Sequence, residues 1–141
     1  MNVVLLEPEI PPNTGNVARL CAATRSTLHL IEPLGFKLDD AQLKRAGMDY
    51  WQHVHWRSWP NWTAFWTSLP ATAHLWFIES GGPTLYSDAR FGLEDYLVFG
   101  RETAGLPRKL LEAGFTFEFP HIDGACADLL ASPGHHAASA L

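Results

Sequence analysis

The stretch Asn2–Pro33, NVVLLEPEIPPNTGNVARLCAATRSTLHLIEP, decides the fold. It opens with NVVLLE, Asn2–Glu7, an apolar run with β-branched residues that stops at Pro8 and reads as a buried strand. Pro8–Asn16 is dense in Pro, Asn and Gly and reads as a loop. Thr14–Ser26 then sets Val17, Leu20, Cys21 and Ala22 at a helical spacing, with Arg19 and Arg25 among them. Thr14 or Asn13 is the expected cap of that helix. Thr27–Pro33, TLHLIEP, reads as a second strand. Strand, loop, helix and strand in this length form one βαβ unit, which demands a parallel sheet with right-handed crossovers.

Outward from this unit the alternation continues. Asp39–Ala46 reads as a short polar helix, His53–Trp56 as a brief strand, and Asn61–Leu69 as a helix capped by Asn61. Ala73–Ser80 is a buried strand that ends at the Gly81-Gly82-Pro83 turn. Asp95–Gly100 is a strand, Leu106–Gly114 a helix stopped by its glycine, and Phe115–Pro120 a last strand. The expected architecture is a three-layer α/β domain over residues 1–141. The tail, 121–141, is rich in small residues, is broken by Pro133-Gly134, and lacks a helical period.

Composition bounds the function. Of 141 residues, 47% are hydrophobic and 18% charged, a globular balance. No apolar run approaches the roughly 20 residues that span a bilayer, so no membrane association is expected. The N-terminus does not read as a secretory signal, and Cys21 and Cys126 form no Cys-x-x-Cys. A cytoplasmic protein is expected. The formal net charge of −5 argues against nucleic-acid binding through a general field. Any such partner must be read from motifs or from a local patch.

Ligands of open parallel sheets sit beyond the carboxyl ends of strands. Three such ends carry unusual loops, Glu7–Asn16, Glu79–Pro83 and Gly100–Pro107. Gly81, Gly82, Gly100 and Gly105 would let backbone groups approach a ligand, or simply make turns. Neither G-x-x-x-x-G-K-[ST] nor G-x-G-x-x-G is present in them, which sets aside the common phosphate and dinucleotide loops. Asn13, Asn16 and Arg19 offer amides and a guanidinium suited to phosphate at a helix start, or else a cap and a solvated charge. His53, His55, His135 and His136 lack any metal-ligand pattern, so no metal is expected. The tryptophans Trp51, Trp56, Trp59, Trp62 and Trp66 suit core or a subunit contact better than base stacking.

Four blocks carry a resemblance: Glu7–Thr24 (EPEIPPNTGNVARLCAAT), His29–Asp40 (HLIEPLGFKLDD), Leu43–Trp51 (LKRAGMDYW) and Tyr96–Pro107 (YLVFGRETAGLP). Together they resemble the SPOUT superfamily of RNA methyltransferases, and within it the small single-domain members that 2'-O-methylate the wobble nucleotide, cytidine or uridine 34, of certain tRNAs. The resemblance implies a parallel sheet with a C-terminal trefoil knot, a homodimer, a tRNA partner and S-adenosyl-L-methionine as methyl donor. It implies that Ile78, Glu79 and Ser80, then Gly100, Glu102 and Gly105, then Phe119 and Pro120 bind the donor. It also implies that Arg19 helps activate the ribose hydroxyl while Asn13, Asn16 and Arg19 meet the RNA. The family's third block, Arg-Ser-x-Asn-Leu-Ser before a long helix, has no counterpart here; Ala125–His136 reads ACADLLASPGHH. That departure implies an incomplete knot, a weakened dimer, and a second reading as a non-catalytic RNA- or cofactor-binding remnant.

Overall fold

The structure, a computed structural model, describes residues 1–38, 50–80, 84–112 and 120–121. Its first element is β1 (Asn2–Leu6), followed by α1 (Pro11–Thr24) and β2 (Thr27–Ile31), the βαβ unit expected from the sequence. A short 3₁₀ turn (Trp51–His53) leads to β3 (Trp56–Trp59), α2 (Trp62–Thr67), β4 (Leu75–Ile78) and β5 (Thr84–Leu85). The described chain continues with β6 (Tyr96–Phe99), α3 (Arg108–Glu112) and β7 (Pro120–His121). Among the described residues, five parallel strands form one sheet in the order β3-β2-β1-β6-β4, and β5 pairs with β7 in parallel beside it.

Alternation along the strands builds the layers. In β1, Val4 and Leu6 point to one face, where they pack with Ile31, Phe65 of α2, Phe77, Val98 and Leu106. Val3 and Leu5 point to the other, with Ala18 and Cys21 of α1, Leu28, Leu30 and Val54. Helices thus cover both faces, giving the three-layer α/β arrangement. Phe65, with no exposed surface, plugs the first face; truncating such a side chain typically costs about 3–5 kcal/mol. Burial also pushes the Cys21 thiol up to about 11, so it behaves as a small apolar side chain.

His29 is buried in the first face between Trp59, Phe65 and Tyr96. The Trp59 indole N–H donates to His29 Nδ1 at 3.1 Å, and His29 Nε2 lies 3.2 Å from Asn2 Oδ1. An indole nitrogen is a donor only, so Nδ1 carries no proton and Nε2–H donates to the Asn2 oxygen. Burial, helped by the nearby Arg57 charge, lowers the His29 pKa to about 4 and keeps the ring neutral.

Two boundaries differ from the sequence reading. Helix α1 starts at Pro11 with Ile10 as N-cap, not at Asn13 or Thr14. Prolines 11 and 12 fill the first helical positions because their missing N–H groups have no intrahelical partner there anyway. The strand expected at His53–Trp56 is instead Trp56–Trp59, an edge strand paired only with β2 among the described strands. Its WRSW residues are mostly exposed, so the apolar signal used to find strands is weak. The polar helix expected at Asp39–Ala46, the Gly81-Gly82-Pro83 turn, most of the strand expected at Phe115–Pro120 and residues 122–141 of the tail lie outside the described residues.

Candidate active site

Parallel pairing puts the carboxyl ends of β1, β6 and β4 on one edge, with β6 in the middle. Phe99 is level with Leu5 on one side and Ile78 on the other. The chain segments that leave these strands are therefore neighbours, as the sheet order alone requires. Together, Ile78, Glu79, Ser80 and residues 99–105 line an open cavity of about 430 Å³. Small-molecule sites commonly occupy roughly 300–1,000 Å³.

The loop after β6 folds back on itself. Arg101 N–H donates to the Gly105 carbonyl at 3.0 Å, and Gly105 N–H returns a bond to the Arg101 carbonyl at 2.8 Å. Gly100 sits inside that fold: a Cβ placed on it would lie 2.1 Å from the Gly105 carbonyl carbon. Only a residue without a side chain permits this approach. Gly105 has φ +65°, and a Cβ there would lie 2.6 Å from Glu79 Oε1. The Glu79 carboxylate, at the end of β4, accepts from Leu106 N–H at 3.3 Å and so ties two cavity walls together.

A second set of bonds joins the β6 loop to the start of α1. Glu102 accepts from Glu9 N–H at 2.7 Å, Ile10 N–H at 3.2 Å and, at the long distance of 3.5 Å, Asn13 Nδ2. Burial acts to raise the Glu102 pKa, but these donors and its own amide outweigh it and hold the carboxyl below its ordinary range. Helix α1 has no side-chain cap of its own. Glu102 instead binds the amides of Glu9 and Ile10 just before the helix, where a carboxylate meets the favourable end of the helix dipole. In the opposite direction, the Glu9 carboxylate accepts from Thr103 N–H at 3.0 Å and from the Thr103 hydroxyl at 2.7 Å. Arg101 forms an ion pair with Glu7.

Six of the residues singled out from the sequence, Ile78, Glu79, Ser80, Gly100, Glu102 and Gly105, thus line one cavity. Asn13 reaches its rim through Glu102. Asn16 and Arg19 are exposed on α1 and do not line it. The Arg19 guanidinium lies over the Tyr50 ring, 4.8 Å from its centre, and the Tyr50 hydroxyl donates to the Gly15 carbonyl. Phe119 lies outside the described residues, and the Pro120 backbone pairs with Thr84 in the small sheet. Glu9, Thr103 and Tyr50 were not singled out, because their contacts cross tens of residues and leave no local pattern. Among the described residues, no group of three or more His, Cys, Asp or Glu side chains converges as metal ligands would. Of the tryptophans, Trp59 and Trp62 pack against the core, while Trp56 and Trp66 keep over a third of their surface exposed.

Residues 1–117 match the SpoU rRNA methylase family. A tRNA (cytidine(34)-2'-O)-methyltransferase of Saccharophagus degradans is 53% identical over 113 residues, spanning 79% of this chain and 71% of that protein. A solved structure described as "Structural insights into the 2-OH methylation of C/U34 on tRNA" is 41% identical, with a TM-score of 0.78 over 99% of this chain and 84% of the other. The SpoU methyltransferase AviRb from Streptomyces viridochromogenes, solved in complex with AdoMet, shares the fold at 16% identity, with a TM-score of 0.66 over 99% of this chain and 54% of AviRb. The match over more than three quarters of its length, with a parallel sheet whose loops build one cavity, places this chain in the SpoU rRNA methylase family.

Proposed function

We propose that this chain transfers a methyl group from S-adenosylmethionine to the ribose 2'-hydroxyl of cytidine or uridine 34, the wobble nucleotide of tRNA. The observation that carries the reading is the joint one: relatives at about half identity that perform this reaction, and a cavity built by the loops where the donor residues were expected. These relatives do not favour the reading as a non-catalytic remnant. A cytoplasmic location follows as part of the proposal.

The residues present fit the donor. Two carboxylates, Glu79 and Glu102, line the cavity, and its one lining arginine, Arg101, is paired with Glu7. Such a balance suits a ligand with positive charge better than a phosphate. Ile78 and Phe99 supply apolar wall, Ser80 a hydroxyl, and the glycine loop its backbone. Bound there, S-adenosylmethionine supplies a methyl group made electrophilic by a sulfonium sulfur. Phe119 and Pro120 complete the enclosure in this proposal, as part of a trefoil knot.

On the acceptor side, the 2'-hydroxyl must lose its proton as its oxygen forms the new bond, so negative charge grows on that oxygen. The Arg19 guanidinium, oriented by its stack on Tyr50, stabilises that charge or the adjoining phosphate. Because Arg19 stands outside the cavity of its own chain, we propose a two-fold homodimer that sets α1 of one subunit beside the cavity of the other. The hydroxyl proton passes to water as the methyl–sulfur bond breaks and the new carbon–oxygen bond forms, and alignment of the two reacting atoms supplies most of the remaining rate enhancement.

The test is incubation of the protein with methyl-labelled S-adenosylmethionine and tRNA unmodified at position 34. Label is expected in a 2'-O-methylated nucleotide at that position. Normal donor binding with no methylation of any RNA would overturn the reading. Arg19→Ala is expected to lower turnover about 100-fold with the fold intact, the scale of losing one charge-stabilising group. Unchanged turnover would return Arg19 to the role of a surface charge.

A further inference from the structure

The donor cavity is walled on one side by a loop held from outside by the Arg101–Glu7 ion pair, by the Leu106–Glu79 bond beside it and by carboxylate bonds to the chain before α1. Residues 101–104 are exposed, and the bonds between Arg101 and Gly105 close the loop without fixing where it stands. Its neighbour is anchored firmly: α1 buries Thr14, Gly15, Ala18 and Cys21 against the sheet. Between the two runs an exchange of carboxylates. Glu102 of the loop accepts from the backbone amides of Glu9 and Ile10 just before α1, and the Glu9 carboxylate accepts from the amide and hydroxyl of Thr103. Each carboxylate is thus bonded to the other's segment, and the four bonds cross the gap in both directions. Hydrogen bonds accepted by a carboxylate are the stronger kind.

From this exchange we infer that Glu9 and Thr103, neither assigned to donor binding by position, are positioning residues for the donor cavity. They hold the 101–105 loop in its cavity-forming place before any ligand arrives. Glu9 lies outside the cavity lining, so its effect must pass through Thr103. A loop already ordered avoids an ordering cost on binding. The same bonds attach the cavity wall to the helix that bears Asn13, Asn16 and Arg19, so the donor side and the RNA side of the molecule share one fixed reference. The inference rests on the proposed donor site, which it deepens.

The experiment is a double-mutant cycle read by calorimetric binding of S-adenosylhomocysteine and by hydrogen exchange of the Thr103 amide. Glu9→Ala and Thr103→Val are each expected to weaken binding about tenfold. The double variant should bind no worse than Glu9→Ala alone, because the first loss already removes the partner of the second. Thr103→Ser, which keeps the hydroxyl, should bind within twofold of the unaltered protein. Exchange at Thr103 should quicken at least tenfold in Glu9→Ala, whose folded state is checked by an unchanged far-ultraviolet spectrum. Additive effects in the cycle, unaltered binding in a folded Glu9→Ala protein, or failure of Thr103→Ser to restore it would overturn the inference. Failure of the unaltered protein to bind S-adenosylhomocysteine would overturn the donor site itself; exchange at Thr103 that ignores Glu9→Ala would overturn only the positioning role of Glu9 and Thr103.

Discussion

Replacing Gly100 by alanine puts a methyl group where the structure has no room. The new Cβ would meet three backbone atoms, at 2.1 Å (Gly105 C), 2.3 Å (Gly105 O) and 2.4 Å (Leu106 N), whereas ordinary contact begins near 3.4 Å. No side chain can rotate away to relieve it. The two backbone segments must part by about 1.3 Å, which stretches the 3.0 Å and 2.8 Å bonds between Arg101 and Gly105 beyond hydrogen-bonding range. Two lost backbone bonds cost about 1–3 kcal/mol. For a domain of this size that lowers Tm by roughly 3–10 °C. The larger effect falls on the cavity, whose wall moves by about a bond length, and S-adenosylhomocysteine affinity should drop about 100-fold or more, since misplacements near 1 Å carry penalties of that order. Calorimetric titration beside a thermal melt measures both. A Gly100→Ala protein that melts as before and binds within threefold of the original would refute the reasoning, because the backbone approach would then not shape the cavity.

Other outcomes follow from the same structure. Gly105→Ala should be milder, costing about 1–2 kcal/mol for its left-handed backbone, because the atom it meets is the movable end of Glu79; a melt and the same titration check this. His29 is held neutral with a pKa lowered to about 4, so below the unfolded value of 6.5 the unfolded chain takes up the proton first. Stability should therefore fall as pH drops from 6.5 toward 4, by up to about 3 kcal/mol, and His29→Gln should flatten that slope in urea titrations. Sedimentation over a dilution series should show a homodimer that dissociates at low concentration, and a monomer at every concentration would exclude a site shared between subunits.

The strands were legible because parallel strands covered on both faces must be apolar throughout: NVVLL, TLHLI, LWFI and YLVF all announced themselves. The polar WRSW edge strand did not, and the helix start was displaced because Pro11 and Pro12 form a first turn in which asparagine and threonine elsewhere serve as caps. At the cavity, Gly100 and Gly105 stood out as breaks placed directly after an apolar run. What they do there was not legible, since the tight approach is between two backbones and the Gly105 constraint comes from Glu79, 26 positions earlier. Glu102 was singled out as a ligand-binding residue, yet its carboxylate also binds the Ile10 amide just before α1, a contact across 92 residues that no local period encodes.

The central position of β1 sets an order on the birth of this molecule. Residue 2 faces residue 27 on one side and residue 96 on the other. A ribosome adding about 5–20 residues per second releases the first βαβ unit several seconds before β6 exists. Throughout that interval one edge of β1 presents unpaired backbone groups beside Val4 and Leu6, a template for the wrong strand. The helix bearing Arg19 is therefore among the earliest parts to take shape and the cavity walled by residues 99–105 among the latest. A nascent chain halted between the two would carry α1 and its exposed Arg19 with no cavity yet built beside it.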